Sequence, residues 1–460
     1  MDAILNILSY VGWVLLAIMI LVFVHELGHF LFAKLFRMRV EKFSIGFPPK
    51  VVGKTVGETE YVLGLTPLGG YVKIAGMVDE SMDTDFIESE PEPHEFRAKP
   101  VWQRMVVITA GVIFNMILAA IVFIGLKATY GEAFTPPVGS VAVVDSSVAW
   151  QMGLRTGDEI VSINGRPAGS LDGLSGIEQL LLVDQLEMTV RRDGEILEFI
   201  GPRDLMTQLN RTRGIFGMRF DPTVIGAVEE DSPAEGAGLM PGDRIVAYGD
   251  STIRFWSELP PVVQALQGAP ARLRYLRPDS LASVVPPTGL ALPDSVQPAE
   301  GTLYEVSLSA EQDGDGYVIG VFPHVLYREH DFGQAVVAGL QDTWLQTRLI
   351  ATSLKRVFTG QDDLRENLGG PVIIAKMTKE AADRGAPFFW NIVAMLSITL
   401  AIINILPIPA LDGGHLVFLI YEGIARREPS LKLRMVMQQI GMFILLAFMV
   451  FVIFNDILKL

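Results

Sequence analysis

Cysteine is absent from all 460 residues. That excludes disulfides, thiolate metal ligands and a cysteine nucleophile, so any bound metal must be held by His, Asp or Glu. Basic residues are in deficit, 37 Lys and Arg against 52 Asp and Glu, for a net charge of −15. The basic face that phosphate binding requires is missing, which argues against nucleic acid as a partner. Charge of either sign is scarce over long stretches. Ile4–Phe36, Met105–Leu126, Phe388–Ile424 and Ile440–Phe454 contain apolar runs close to the roughly 20 residues a membrane-crossing helix needs. No Lys or Arg precedes Lys34. The first run therefore has no basic leader and is read as a retained span rather than a signal peptide.

What is present in that first run is unexpected for a membrane span. His25-Glu26-Leu27-Gly28-His29 places two imidazoles four residues apart, on one face of a helix, where both can reach one ion. Glu26 lies one residue round, near enough to take a proton from the attacking water. Polar residues snorkelling from the end of a span are the ordinary alternative. Three ionisable groups in one apolar turn are costly in lipid, however, and such groups are usually functional.

Two imidazoles do not hold catalytic zinc well, so a third protein ligand is expected. Asp412 is the only carboxylate between Phe388 and Tyr421. An unpaired carboxylate at that depth would cost several kcal/mol or pick up a proton, and a metal ion removes the cost. Pro407 and Pro409 cannot continue a helix and Gly413-Gly414 loosen it again, so the backbone should break here, as is tolerated beside a cavity. A kinked span whose Asp caps the resuming helix would account for Asp412 alone, but not for the pair of histidines. His415, three residues on, can share the face of Asp412; His94, His324 and His330 read as solvated.

Elsewhere the pattern changes. Residues 43–76 are rich in Gly and in β-branched and aromatic residues, which predicts short strands in a hairpin-like sheet between the first two spans. Asp79–Glu95 is acidic and reads as a loop. Gly153-Leu154-Arg155-Thr156-Gly157-Asp158 recurs as Gly238-Leu239-Met240-Pro241-Gly242-Asp243, an internal repeat. Both units resemble PDZ domains, although Tyr248-Gly249-Asp250 departs from the usual end of the segment. Ile215-Phe216-Gly217-Met218 resembles the loop through which such domains accept a peptide carboxylate; an ordinary Gly turn fits equally well. Pro278–Glu300 reads as a linker. Asp331–Arg384 reads as amphipathic helix, broken at Thr359-Gly360 and at Leu368-Gly369-Gly370-Pro371, either lying on the membrane surface or packed on the outer domains.

Taken in order, HExxH in the first span, a Gly-rich strand region, paired PDZ-like units and Asn404-Ile405-Leu406-Pro407-Ile408-Pro409-Ala410-Leu411-Asp412-Gly413 in the third span resemble the site-2 protease family, in its Gram-negative sigma-E-regulating branch. The resemblance covers essentially the whole chain. It implies zinc on His25, His29 and Asp412, with Glu26 as general base. It also places Asn404, Pro407 and Pro409 at substrate-handling positions. Ala110-Gly111-Val112-Ile113-Phe114-Asn115 is similar to a second-span motif of the family, but Val112 stands where Pro is usual. That leaves the local bend open and Asn115 as a packing or gating residue. His415 receives no role.

The expected fold is a multi-span α-helical membrane protein with four transmembrane helices, a small β-rich membrane-associated loop and two α+β PDZ-like domains. The expected divisions are 1–36 (first span), 37–104 (strand region and acidic linker), 105–127 (second span), 128–213 and 214–323 (PDZ-like units), 324–387 (amphipathic helices), 388–424 (third span) and 437–457 (fourth span). Lys and Arg cluster between the first two spans and again at Arg426, Arg427, Lys432 and Arg434. This places those loops in the cytoplasm and both termini, with the PDZ-like units, in the periplasm. The resemblance implies cleavage within single-span proteins of the inner membrane: an anti-sigma factor already trimmed outside, and remnant signal peptides. A membrane-anchored peptidase of soluble substrates would carry its metal motif in an aqueous domain, and a non-catalytic scaffold would need neither HExxH nor a buried Asp.

Overall fold

In the computed structural model the four longest apolar runs form helices long and apolar enough to cross a membrane, with spanning windows at Ser9–Leu35, Val101–Tyr130, Ala386–Ile405 and Lys432–Leu458. The described residues are 2–77, 90–134, 141–167, 185–205, 208, 218–219, 223–278, 301–313, 316–323, 326–367 and 369–459. The peptide-loop reading at 215–217, the linker at 279–300 and most of the acidic loop, 78–89, lie outside them. The chain divides into two units: Met1–Gly131, Glu329–Phe358 and Asn367–Leu460 form the first, and Glu132–Arg328 with Thr359–Glu366 the second.

The first unit begins with α1 (Asp2–Leu35). Two long strands follow, β1 (Val40–Val56) and β2 (Thr59–Ile74), where short ones were expected. Both fold back on themselves. Lys42, Phe43, Ser44 and Ile45 lie opposite Glu60, Tyr61, Val62 and Leu63 on one side and opposite Lys73, Val72, Tyr71 and Gly70 on the other. The two strands thus make a sheet with a doubly paired centre, and Phe43, Val72 and Ile74 of this sheet are buried with Ala33 of α1 and Val107 and Ile108 of the next helix.

That helix, α2 (Val101–Tyr130), is continuous across Val112, where the family's proline is absent. Next come α3 (Phe332–Phe358) and α4 (Pro371–Asp383), separated by the expected Gly breaks. They pack on the spans: a Cβ at Gly339 of α3 would stand 2.5 Å from the backbone nitrogen of Ile124 in α2, and Ala382 of α4 packs against a cluster holding Ala17 and Leu21 of α1.

The third run is not one span to residue 424. It ends as α5 (Ala386–Ile405), and a separate helix α6 (Asp412–Ala425) starts after a six-residue loop. The 14 residues of α6 extend about 21 Å at 1.5 Å per residue, too short to cross a bilayer core of about 30 Å. A buried ion pair ties α6 to α2, Arg104 donating to both carboxylate oxygens of Glu422.

The last span is α7 (Leu431–Lys459). Near its end Asp456, fully buried, accepts hydrogen bonds from the backbone N–H groups of Gly370 (2.8 Å), Val372 (2.9 Å) and Ile373 (3.2 Å). A carboxylate from another helix thus caps the first turn of α4, whose own N-cap Gly370 has no side chain to do so. Asp456→Ala should lower stability by about 0.5–2 kcal/mol, the range for losing a side-chain cap, with Asp456→Asn intermediate. Thermal unfolding in detergent measures this, and an unchanged transition would remove the cap from the account.

The second unit contains two sheets of the same topology. One has strand order β4-β3-β5-β6, with β3 Glu159–Ile163, β4 Arg166–Pro167, β5 Glu187–Arg192 and β6 Glu195–Ile200. The other has order β8-β7-β9-β10, with β7 Arg244–Tyr248, β8 Ser251–Thr252, β9 Ala271–Pro278 and β10 Gly301–Leu308. Each encloses its own apolar cluster. In the first, Arg192 donates to both carboxylate oxygens of Asp158 (2.6 and 2.7 Å) and to the carbonyl of Gly153 (2.8 Å). In the second, Arg277 does the same to Asp243 (2.7 and 2.7 Å) and Gly238 (2.8 Å). Asp158 and Asp243 are both buried, and each also accepts from a backbone N–H three residues earlier. The Asp hydrogen bond to each Arg, its largest cause, raises the pKa of both guanidinium groups, so the clamps stay charged.

Candidate metal centre and active site

The first-span histidines are aimed by the second span. His29 Nδ1 lies 2.8 Å from the carbonyl oxygen of Val107. A carbonyl can only accept, so Nδ1 carries the proton and Nε2 keeps its lone pair. His25 Nδ1 lies 3.2 Å from the amide nitrogen of Asn115, which is fully buried. The close approach of the helices depends on glycine. A Cβ on Gly28 would stand 2.5 Å from the carbonyl oxygen of Ala110, and one on Gly111 would stand 2.5 Å from His29 Nε2 and 2.6 Å from His25 Cε1.

The third side chain arrives from the break between α5 and α6. The chain turns through Leu406–Leu411, with Ala410 in the left-handed region (φ 74°), and α6 opens with Asp412 in its first turn. Gly413 and Gly414 let the loop fold onto this helix start, since Cβ atoms there would meet the carbonyl oxygens of Leu406 at 2.1 Å and Ile408 at 2.5 Å. Gly441 of α7 makes room for Pro409 in the same way, with its carbonyl oxygen 2.0 Å from a Cβ there. Pro407 and Pro409 thus lie in the loop that delivers Asp412.

Asp412 Oδ2 comes to 3.2 Å from His25 Nε2 and 3.5 Å from His29 Nε2, and the two Nε2 atoms are 3.2 Å apart. Despite these distances Oδ2, itself buried, has no hydrogen-bond partner of acceptable geometry. Three atoms of ligand type that crowd one point, the carboxylate oxygen among them without a hydrogen-bond partner, are arranged as ligands around a cation. Two neutral imidazoles and a carboxylate are a donor set suited to zinc, with a further position left for water or substrate. Among the described residues these three are the one His/Cys/Asp/Glu group so placed, all donors lying within 4.8 Å of one another.

Asn404, at the end of α5, brings its amide nitrogen to 3.4 Å from His25 Nε2. Glu26 lies beside β2, and a Cβ on Gly70 would be 3.1 Å from Glu26 Cγ. His415 points elsewhere, onto a cavity it lines with Phe96, Arg104 and Gln438. Gly70 and the part played by Gly111 and Asn115 in seating the imidazoles were not read from the sequence. The second-span motif was the available signal for the latter two, and it gave no hint of what they touch.

Comparisons with known proteins agree in kind. Residues 13–448 match the model of peptidase family M50. The chain is 30% identical to a Neisseria meningitidis protein over 96% of its length and 98% of that protein's, and 29% identical to a Vibrio cholerae protein over the full length of both; each is named "Putative zinc metalloprotease". It is 28% identical to the regulator of sigma-E protease RseP of Salmonella typhimurium, over 99% of this chain and all of the relative.

Proposed function

The chain belongs to peptidase family M50, the site-2 zinc metalloproteases, and from that premise we propose that His25, His29 and Asp412 hold its zinc and that Glu26 is the general base of a peptide hydrolysis within the membrane. The observation that carries the reading is the convergence of three donor atoms on one point between helices long and apolar enough to cross a bilayer. When bound there, zinc supplies Lewis acidity toward the scissile carbonyl and acidifies water. Glu26 takes the proton of the attacking water and returns it to the leaving amide nitrogen. Asn404, with an amide donor and acceptor beside His25, holds the substrate backbone. Pro407 and Pro409 shape the loop against which it lies.

A helical substrate must open before its amide can be attacked, and the freed backbone groups need partners where water is scarce. Segment Gly70–Ile74 of β2 supports a means: among the described residues it pairs with β1 alone, and it passes Glu26. An unwound substrate segment adds to that edge as a strand. The substrates we propose are single-span inner-membrane proteins, foremost an anti-sigma factor already trimmed on its outer side, in keeping with the name of the Salmonella relative. Remnant signal peptides are a second class.

The two sheet units with their matching Asp–Arg clamps support a PDZ-like reading of 128–213 and 214–323. Neither carries a metal-ligand group of His, Asp or Glu among the described residues, and we assign them the exclusion of substrates with bulky outer domains. The Lys and Arg bias supports an orientation with them and both termini in the periplasm and the active site nearer the cytoplasm. Deleting residues 132–328 should leave zinc binding intact and admit substrates with untrimmed outer domains; unchanged discrimination would assign the sorting elsewhere. The function as a whole is tested by comparing membrane-protein fragments in cells carrying the wild type and Glu26→Gln. Fragments cut inside single spans should vanish in the variant, and identical fragment sets would refute the reading.

A further inference from the structure

We propose that Asn115 is a positioning residue of the metal centre: its side-chain oxygen accepts the Nδ1 proton of His25 and so fixes the tautomer that presents Nε2 to the metal. This rests on the metal-centre reading above. His25 Nε2 is the atom that converges on Asp412. To act as a ligand it must offer a lone pair, and a neutral imidazole then carries its single proton on Nδ1. That proton needs an acceptor, because a buried N–H left without one is costly.

Among the described residues, Asn115 is the side chain recorded beside that atom, with its amide nitrogen 3.2 Å from Nδ1. In this orientation two N–H groups would oppose each other, while Asn115 Oδ1 is buried with no donor at all. Half a turn of the terminal amide exchanges nitrogen and oxygen. It turns the opposed N–H groups into a hydrogen bond and gives Oδ1 a donor with no other atom moved, and amide oxygen and nitrogen are assigned by such partner logic. The side chain is well anchored for the task. Asn115 is fully buried, and its backbone carbonyl accepts a 2.8 Å hydrogen bond from the hydroxyl of Ser397 in α5. The two ligands are thus oriented differently. His29 relies on the backbone carbonyl of Val107, which no substitution removes, whereas His25 relies on a side chain.

The test is zinc affinity of the purified full chain by chelator competition, with the visible spectrum of the cobalt-substituted protein as a second readout. Asn115→Leu should weaken zinc binding about 10- to 100-fold, the usual cost of losing such a partner of a ligand, and alter the cobalt bands. Asn115→Asp keeps an acceptor toward Nδ1–H. It should bind zinc within about threefold of wild type or more tightly, because a carboxylate raises imidazole basicity. A residue that merely packs would give the reverse order, since a buried carboxylate without a partner is the worse substitution. Asn115→Leu with wild-type affinity overturns the inference. If Asn115→Leu does not fold, Asn115→Asp decides: a tenfold or greater weakening overturns it. The underlying reading has its own control, because failure of the wild type to bind zinc, or retention of zinc by His25→Ala, would refute the metal centre itself.

Discussion

Glu26→Gln should abolish proteolysis while zinc stays bound. The substitution keeps the shape of the side chain beside Gly70 and leaves His25, His29 and Asp412 untouched. What it removes is the group we propose to accept the water proton and hand it to the leaving nitrogen. General acid–base catalysis contributes about 10²- to 10⁴-fold, and in the proposed mechanism one carboxylate serves both transfers, so the loss should lie at the upper end of that range. Zinc content by elemental analysis and turnover of a single-span substrate are measured on the same preparation. Turnover near the wild-type rate would assign the proton transfers to another group. Loss of zinc along with activity would make Glu26 part of the metal's support.

Gly111→Ala should be as damaging through a different route. The added methyl would stand 2.5 Å from His29 Nε2 and 2.6 and 2.8 Å from His25 Cε1 and Nδ1. Neither ring has an easy retreat: Val107 holds one and Asn115 lies against the other. The rings must turn away from the common point, and zinc affinity should fall by about two orders of magnitude or more, beyond the 10- to 100-fold typical of a supporting residue. Alanine is the better helix former by about 1 kcal/mol, so α2 itself gains nothing to explain a loss. Metal-free thermal stability close to wild type, alongside lost zinc, separates this effect from misfolding. A Gly111→Ala protein that binds zinc normally would show that the helices can slide apart.

How much of this the sequence reveals depends on whether a signal is local. His25 and His29 are four residues apart on one helix, so their shared face follows from helical geometry. Asp412 stands out as a lone carboxylate in an apolar run, and the prolines at 407 and 409 announce the break before it. The same punctuation did not fix where the third span stops, because α6 is apolar enough to read as its continuation. In residues 43–76, Gly and aromatic residues mark strands, yet the back-folded pairing of Lys42–Ile45 with two segments at once is set by long-range register. Asn115 was legible only as a packing or gating residue and Gly111 only as part of a motif, because what matters is the hydrogen bond and the space they offer to a different helix. Asp456 is likewise invisible as a cap: the helix it caps begins some 85 positions earlier in the chain. The repeat was legible through Gly153–Asp158 and Gly238–Asp243, but its arginine clamps were not, since Arg192 and Arg277 sit on strands far from the matched segments.

Peptide-bond cleavage inside the membrane by the proposed zinc centre is tested most directly by mapping the cut. The purified protein, loaded with zinc, is reconstituted in liposomes with a single-span substrate trimmed on its outer side, and the products are sized by mass spectrometry. The account predicts termini within the transmembrane segment, formed by the wild type and not by Glu26→Gln or Asp412→Ala. Cleavage confined to the soluble flanks of the substrate, or cutting that persists in the Asp412→Ala protein, would contradict it.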